Sequence, residues 1–394
     1  MNWLNEAEKW TELTPLRRRL HQMAECGFDL PQTRRLVWDA LVGLGYKPQD
    51  CGKAGIVAEV GGGEPIFLLR ADMDALPITE QSGLEFAAQN GCMHACGHDM
   101  HTAMLLGAAY LLKQAESELK GTVRLMFQPA EELLTGADDM IKNGVLTGVS
   151  AGMMIHVMAG VPLKSGTVVI PQGGVGAPSA DFFTVTVNGK SCHGSSPQNG
   201  VDALSAAARI VTALQALVPS ELPAGSGAVL SVGSFHAGEA ANVIADKAEL
   251  RGSLRAFSDE HRAFLKDRLS AVSVLTASAA RATASVHFDG GCPSLLNDEH
   301  LTDWMLGNAQ ALLGKRKVLS AAEFGGSSIR GGSEDFAYVS QKIPTVMVAL
   351  SAASPSMPHP LHHPEVIFDE SALPIGSALL ASSAADWLKQ QNGL

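Results

Sequence analysis

Hydrophobic residues along the chain follow two different periods, and these predict its secondary structure. Apolar residues that recur every three or four positions indicate helices, whereas short apolar runs bounded by glycine indicate buried strands. The two patterns alternate in the first and last parts of the chain, which predicts an α/β domain. Helices are predicted over residues 13–26, 33–44, 102–113, 298–313 and 371–389, and strands over 55–60, 66–69, 122–127, 152–157 and 344–350.

The middle of the chain has a different order of elements. It reads βαββαβ, which is the ferredoxin-like, or split βαβ, unit. We therefore predict a small domain, residues 180–292, inserted into a discontinuous larger domain made of residues 1–179 and 293–394. The predicted elements of the insertion are strands over 182–187, 228–235, 247–257 and 283–288 and helices over 201–217 and 258–275.

Composition excludes several classes of protein. A length of 394 residues favours two domains, and 46% hydrophobic residues provide ample core. The net charge of −11 argues against a nucleic-acid partner. The sequence shows no signal peptide and no apolar run of about 18 residues, so we expect neither export nor a membrane span. Six scattered cysteines fit a reduced, cytoplasmic setting.

One stretch, Gly91–His101, concentrates metal-binding residue types. In it Cys96 and His98 flank Gly97, and a glycine lets the chain bend close to an ion. Thiolate and imidazole together suit zinc or a similar metal, and Asp99 could orient a ligand. The alternative is a polar turn before a helix, with its cysteines as ordinary buried thiols.

Carboxylates follow two of the predicted strands. Asp72 and Asp74 come directly after one strand, where open α/β sheets place their chemistry, and we count Asp74 among the catalytic candidates. Glu131 and Glu132 come after another, and adjacent glutamates point in different directions, so one can hold a metal while the other faces water. A solvated turn and a charged helix start are the alternatives.

Histidines and glycines later in the chain add further candidates. His156 lies inside an apolar strand, where a lone histidine is usually a core residue unless other ligands accompany it. The segment Met357–Glu365 holds three histidines in a proline-rich loop, or else is a polar surface loop. Gly331 and Gly332, before Ser333, present backbone amides that could bind an anion.

Taken together, these motifs resemble the aminoacylase/carboxypeptidase family of two-metal peptidases, in its amidohydrolase branch. That branch includes hippurate hydrolases, N-acyl-amino-acid amidohydrolases and N-acetyldiaminopimelate deacetylases. The resemblance covers nearly the whole chain. The motifs that carry it are Leu69–Pro77, Met93–Ala103, Phe127–Glu132, Gly189–Gly194, Ala241–Ile244, Gly332–Phe336 and Leu361–Pro364.

The resemblance implies a zinc-peptidase-like domain with a mixed central sheet, and a dimerisation or lid role for the insertion. It implies that Glu131 is the general base and that His193 is offered to the active site of the other subunit. Asn242 and Arg255 look like the pair that contacts the substrate carboxylate, and Gly332 and Ser333 join the substrate-binding set. The implied metal ligands are Cys96, His98, Glu132, His156 and His362, with Cys96 in the bridging place.

The implied activity is hydrolysis of N-acyl amino acids, carrying N-acetyl or N-aroyl groups, with two divalent ions of zinc, manganese, cobalt or nickel per subunit. We expect a homodimer, with a tetramer as the alternative. A metallo-carboxypeptidase or dipeptidase is the second hypothesis, and a non-catalytic metal-binding protein is the third. Departures from the family pattern near His21–Phe28, Ser191-Cys192 and Ala245 leave the substrate preference open.

Overall fold

The computed structural model describes residues 1–324, 332–353 and 358–393. These residues form two compact units. The larger unit contains residues 1–176, 296–324 and 335–393, and the smaller contains residues 177–295 and 332–334. The dimerisation or lid role of the insertion stays a prediction.

The larger unit is built on a mixed sheet of eight described strands. Its order is β1-β2-β4-β3-β5-β16-β6-β15. The four central strands β4, β3, β5 and β16 are mutually parallel, and β2 and β6 run antiparallel to their inner neighbours. The strands are β1 (Gln49–Cys51), β2 (Gly55–Gly61), β3 (Ile66–Asp72), β4 (Thr122–Gln128), β5 (Val149–Met158), β6 (Val168–Ile170), β15 (Val318–Ser320) and β16 (Thr345–Ser351).

Helices cover this sheet. Two of them, α4 and α11, are apolar around most of their circumference, and such helices are stable only when buried on all sides. They pack on each other and on the central strands to form the main core. The helices are α1 (Trp3–Lys9), α2 (Leu13–Met23), α3 (Pro31–Gly43), α4 (His98–Gln114), α5 (Gly136–Lys142), α9 (Glu299–Leu313), α10 (Ala337–Ser340) and α11 (Leu373–Gln391).

The smaller unit has a four-stranded antiparallel sheet of its own. The order β10-β12-β8-β13 is that of a ferredoxin-like fold, and α6 and α8 bury its apolar face. The predicted fold class, an α/β domain with a mixed sheet plus a ferredoxin-like domain, is therefore confirmed. The elements are β8 (Ser179–Asn188), β9 (Cys192–His193), α6 (Ala203–Leu214), α7 (Leu217–Glu221), β10 (Val229–Ala237), β11 (Val243–Ile244), β12 (Lys247–Ala256), α8 (Asp259–Ala279) and β13 (Thr283–Cys292). A separate two-stranded sheet pairs β7 (Gly174–Ala177) with β14 (Leu295–Asn297).

Candidate metal centre

Three parallel strands bring candidate residues to one edge of the larger sheet. Strand β3 ends at Asp72, β4 ends shortly before Glu131, and β5 carries His156 near its end. Because these strands are parallel neighbours, their carboxyl ends meet, and this is the edge at which open α/β sheets bind ligands.

A tight turn places Cys96 and His98. Between them Gly97 has a φ of 84°, in the left-handed region, and a Cβ there would lie 2.4 Å from Cγ2 of Val157. Only glycine fits such a position. His98 is the first residue of α4, which begins four residues earlier than the predicted start at Thr102. The two side chains therefore converge because the chain turns at Gly97.

Two groups of three candidate side chains each bring their donor atoms close together, and Cys96 belongs to both. One group is Cys96, His98 and His156, and the other is Cys96, Glu132 and His362, with all donor atoms of a group within 4.8 Å of one another. Cys96 Sγ lies 3.6 Å from His156 Nε2, and Glu132 Oε1 lies 3.5 Å from His362 Nε2. With metal–ligand bonds of about 2.0–2.3 Å, donor atoms on one ion lie about 3.3–4 Å apart. The residues present thus fit two ions that share Cys96.

Backbone hydrogen bonds fix how two of the histidines face this centre. His98 Nδ1 donates to the carbonyl oxygen of Asp74 at 2.8 Å, and His156 Nδ1 donates to that of Val157 at 2.8 Å. In the neutral form of each ring the proton is therefore on Nδ1 and Nε2 keeps a lone pair, as a metal ligand requires. Within the described residues, His98 Nε2 is buried without a hydrogen-bond partner.

The Glu131-Glu132 pair is held by Asp74. The carboxylate of Asp74 accepts the backbone N–H of Glu131 at 3.0 Å and that of Glu132 at 3.2 Å. The two glutamate side chains then lie 3.9 and 4.0 Å from His98 Nε2. Asp74, which was predicted as a catalytic residue, thus positions the two glutamates through their backbone N–H groups.

Burial sets the protonation of two candidate ligands. It raises the pKa of the Cys96 thiol and lowers the pKa of His156 to about 3. Without an ion both side chains are neutral, so metal binding has to displace the thiol proton.

Comparison with known proteins identifies the family. Residues 68–386 match Peptidase family M20/M25/M40. The chain belongs to this family. Among solved structures it is similar to a dinuclear metal-binding M20 peptidase of Bacillus subtilis, at 34% identity and a TM-score of 0.79, over 96% of this chain and 98% of the other.

Curated relatives place the chain more narrowly. It is 37% identical to an N-acetylcysteine deacetylase of Bacillus subtilis, over 95% of this chain and 96% of the relative. It is 38% identical to an IAA-amino acid hydrolase of Arabidopsis thaliana, ILR1-like 4, over 95% of this chain and 85% of the relative. The chain is therefore an M20 amidohydrolase, a two-metal hydrolase of amide bonds, and the predicted family and enzyme class are confirmed. No helix in the described ranges 1–324, 332–353 and 358–393 is long and apolar enough to cross a membrane.

Sequence reasoning missed the part that His101 plays in this M20 site. His101 Nε2 accepts the backbone N–H of Val157 at 2.8 Å, so its Nδ1 carries the proton and donates to Asp72 Oδ1 at 2.6 Å. Both ring nitrogens are thereby occupied. His101 ties α4 to β3 and β5 beneath the candidate ligands.

Sequence reasoning also did not identify the buried Arg70 as part of the site. Arg70 contacts Asp72 at 2.6 Å, Gln128 at 2.9 Å and Asp335 at 3.0 Å. Burial by itself would raise the pKa of Asp72, but its contacts with His98, His101 and the Arg70 guanidinium hold that pKa well below its usual range. An arginine inside the apolar stretch of β3, two residues from an aspartate, is the signal that would have found this pair.

The expectation that Asp99 orients a metal ligand is wrong. Asp99 is buried, and its Oδ2 lies 2.8 Å from Arg17 Nε and 2.8 Å from His21 Nδ1. It points to α2, because the second residue of a helix faces about 100° away from the first, His98. Asp99 therefore anchors α2 to α4.

The loop that carries His362 is tied to the metal turn. The backbone N–H of His362 donates to the carbonyl oxygen of Ala95 at 2.9 Å. Its neighbour His363 instead stacks on His359, with ring centroids 4.2 Å apart, and its Nδ1 accepts the N–H of Glu365. Within Met357–Glu365, His362 is thus the histidine that reaches Glu132, while Met357 lies outside the described residues.

The remaining predicted site residues lie in the smaller unit. His193, on β9, pairs with Val243 of β11, which follows Asn242, and both His193 and Asn242 are exposed. Arg255, near the end of β12, donates from Nη1 to Ser333 Oγ at 2.8 Å. Gly332 is exposed beside Ser333, and Gly331 lies outside the described residues.

Proposed function

We propose that this M20 amidohydrolase cleaves N-acyl amino acids, N-acetyl or N-aroyl, to a carboxylic acid and a free amino acid. The observation that carries the proposal is the pair of three-residue groups that share Cys96, on a chain whose curated relatives include an N-acetylcysteine deacetylase and an IAA-amino acid hydrolase. Cys96, His98, Glu132, His156 and His362 are the proposed ligands of two divalent ions, of zinc, manganese, cobalt or nickel.

Each proposed role follows from the chemistry of an amide. When bound, the two ions would acidify a water and polarise the substrate carbonyl. Glu131 accepts the proton of that water and passes it to the leaving amine. Its position next to Glu132, on a turn held by Asp74, supports this role.

His193 is the proposed donor to the oxyanion that forms at the carbonyl. Its Nδ1 accepts the backbone N–H of Ser195 at 3.2 Å and lies 2.8 Å from Ser195 Oγ, so the proton of the neutral ring is on Nε2. A neutral histidine with an exposed Nε2–H is suited to stabilise an oxyanion. We propose that it serves the partner subunit of a homodimer.

The α-carboxylate of the substrate is assigned to Arg255 and Asn242, with Gly332 and Ser333 beside them. An arginine presents a planar fork of donors that matches a carboxylate, and the hydrogen bond to Ser333 holds the fork in one orientation. This selects amides whose amine is an amino acid.

A substrate panel separates this proposal from a dipeptidase. We expect hydrolysis of N-acetyl and N-aroyl amino acids at rates at least about tenfold above those for dipeptides, because a dipeptide places a charged ammonium where the acyl chain lies. Released amino acid is measured by chromatography. Faster cleavage of dipeptides would favour the carboxypeptidase alternative, and no cleavage of any amide would favour a non-catalytic protein.

Alkylation of Cys96 tests its ligation directly. A thiolate bound to a metal ion is protected from alkylating reagents. We expect iodoacetamide to label Cys96 slowly in the metal-loaded protein and faster once the metal is removed, as read by peptide mass spectrometry. Partly exposed Cys192 serves as the internal control, since its labelling should not depend on metal. Equal labelling of Cys96 in both states would argue against ligation.

A further inference from the structure

Two cysteines that the proposed reaction does not use lie against each other in the larger unit. Cys26 Sγ is 2.9 Å from Cys92 Sγ, although 66 residues separate them in the chain. Both are partly exposed, so small reagents can reach them. At this separation the two sulfurs lie closer than ordinary van der Waals contact, so little movement is needed to join them.

The segment that carries Cys26 braces the residues proposed for proton transfer. The carbonyl of Glu25 accepts the N–H of Ala75 at 2.8 Å, one residue after Asp74. The carbonyl of Gly27 accepts the N–H of Ala130 at 3.1 Å, one residue before Glu131. These two hydrogen bonds connect the residues on either side of Cys26 to the turns that carry Asp74 and Glu131.

The segment that carries Cys92 leads into the metal turn. Met93 and Leu76 exchange backbone hydrogen bonds of 2.9 and 3.0 Å, and Asn90 Nδ2 donates to the carbonyl of Ala24 at 2.7 Å. Cys92 precedes Cys96 by only four residues. The thiol pair thus bridges the segment that leads to the candidate ligands and the segment that supports the candidate base.

We propose that Cys26 and Cys92 form a reversible oxidation site, at which a small-molecule disulfide converts the two thiols into an internal disulfide that slows hydrolysis. The rate effect rests on the proposed function, whereas formation of the disulfide does not. The chemistry is thiol–disulfide exchange.

The thiol–disulfide exchange takes two steps, in which atoms and electrons balance. The sulfur of Cys92 attacks one sulfur of the reagent, which forms a mixed disulfide and releases one thiol. The sulfur of Cys26 then attacks the sulfur of Cys92 and releases the second thiol. The two protein thiols are oxidised, the reagent is reduced to two thiols, and the two S–H protons leave with them.

The order of attack follows from the surroundings of Cys26. Burial, and the hydrogen bond it donates to Cys92, raise the pKa of Cys26 to about 12, so it keeps its proton at neutral pH. The first attack is therefore by Cys92, and Cys26 is the resolving thiol.

The geometry predicts the effect on the rate. Disulfide formation brings the sulfurs from 2.9 Å to about 2.05 Å. Part of this displacement reaches the turns at Asp74 and Glu131 through the two carbonyl hydrogen bonds. Because a misplacement of about 1 Å can cost about 10²-fold in rate, we expect oxidation to lower kcat at least about tenfold.

The test uses the metal-loaded enzyme and oxidised glutathione. We expect two free thiols to be lost, a peptide pair joined through Cys26 and Cys92 to appear in mass spectrometry, and kcat to fall at least about tenfold and recover with dithiothreitol. Cys26→Ser and Cys92→Ser should each be as active as the reduced wild-type enzyme and should not be inhibited by oxidised glutathione. Because there are two such variants, a folding defect in one leaves the other as a test. Cys192→Ser, which removes another partly exposed thiol, should respond like the wild type.

Three results would overturn the proposal. The first is no Cys26–Cys92 peptide pair, which the peptide map reports even in a protein without hydrolase activity. The second is the joined pair with unchanged kcat. The third is equal inhibition of wild type and Cys26→Ser, which would place the oxidation on another thiol, such as Cys96.

Discussion

Replacing Glu131 with glutamine is expected to lower kcat by about 10²–10⁴-fold, the usual contribution of a general base. Glutamine has nearly the shape of glutamate, so the turn held by Asp74 should persist, but its amide cannot accept the proton of the water. Because Glu131 is not among the proposed ligands, metal content should stay at the wild-type level. Steady-state kinetics and elemental analysis measure the two effects.

Glu132→Gln is the matched control, since it makes the same chemical change one residue along the same turn. Glu132 Oε1 lies 3.5 Å from His362 Nε2, within the second three-residue group. This variant should bind metal more weakly and regain activity when the metal concentration is raised. If Glu131→Gln loses its metal and Glu132→Gln keeps it, the two roles are reversed.

Mixing two inactive variants is expected to restore activity, because His193 is proposed to serve the other subunit. His193→Ala should cost about 10²–10³-fold, as loss of an oxyanion donor does. In a mixed dimer with Glu131→Ala, the His193→Ala subunit keeps its own base and receives an intact histidine. The two-fold relation makes this exchange reciprocal.

The fraction of wild-type activity expected in the mixture can be calculated. Random association of equal amounts makes half of the dimers mixed, and each of these has one working site of two. Activity should return to about a quarter of wild type, on the arithmetic of a two-fold dimer. Native mass spectrometry confirms that mixed dimers form. An inactive mixture that contains them would contradict a shared site.

Local motifs predicted the fold class, and the family that they resemble implied the candidate ligands, because both depend on short patterns. The apolar runs indicated the strands of the central sheet. Candidate residues at the carboxyl ends of neighbouring parallel strands lie close together at one edge of that sheet. The Cys96–His98 turn and the Glu131-Glu132 pair each lie within a few residues, so their spacing is visible in the sequence.

Contacts between distant segments could not be predicted in this way. Arg70 pairs with Asp335 across 265 positions, and Cys26 meets Cys92 across 66. His101 lies only three residues after His98, but the packing of α4 against β5 directs its Nε2 to the N–H of Val157. Only the packed structure separates a ligand from a residue that supports one.

The start of α4 shows the same limit at short range. The apolar pattern predicted a helix from Thr102, since His98, Asp99 and His101 are polar. The helix begins at His98 because the buried polar side chains find partners in the fold: Asp74 for His98, Arg17 for Asp99 and Asp72 for His101. These partners offset the free-energy cost of burying polar side chains, which the apolar periodicity of the sequence does not take into account.

The most direct test of the account is a metal titration of stripped protein during hydrolysis of an N-acetyl amino acid. Chelation should abolish the reaction, and zinc, manganese, cobalt or nickel should restore it, with activity reaching its plateau at two ions per subunit by elemental analysis. Cys96→Ser should fail to reach that plateau at the same metal concentration. Full activity in protein shown to be free of metal would contradict the account.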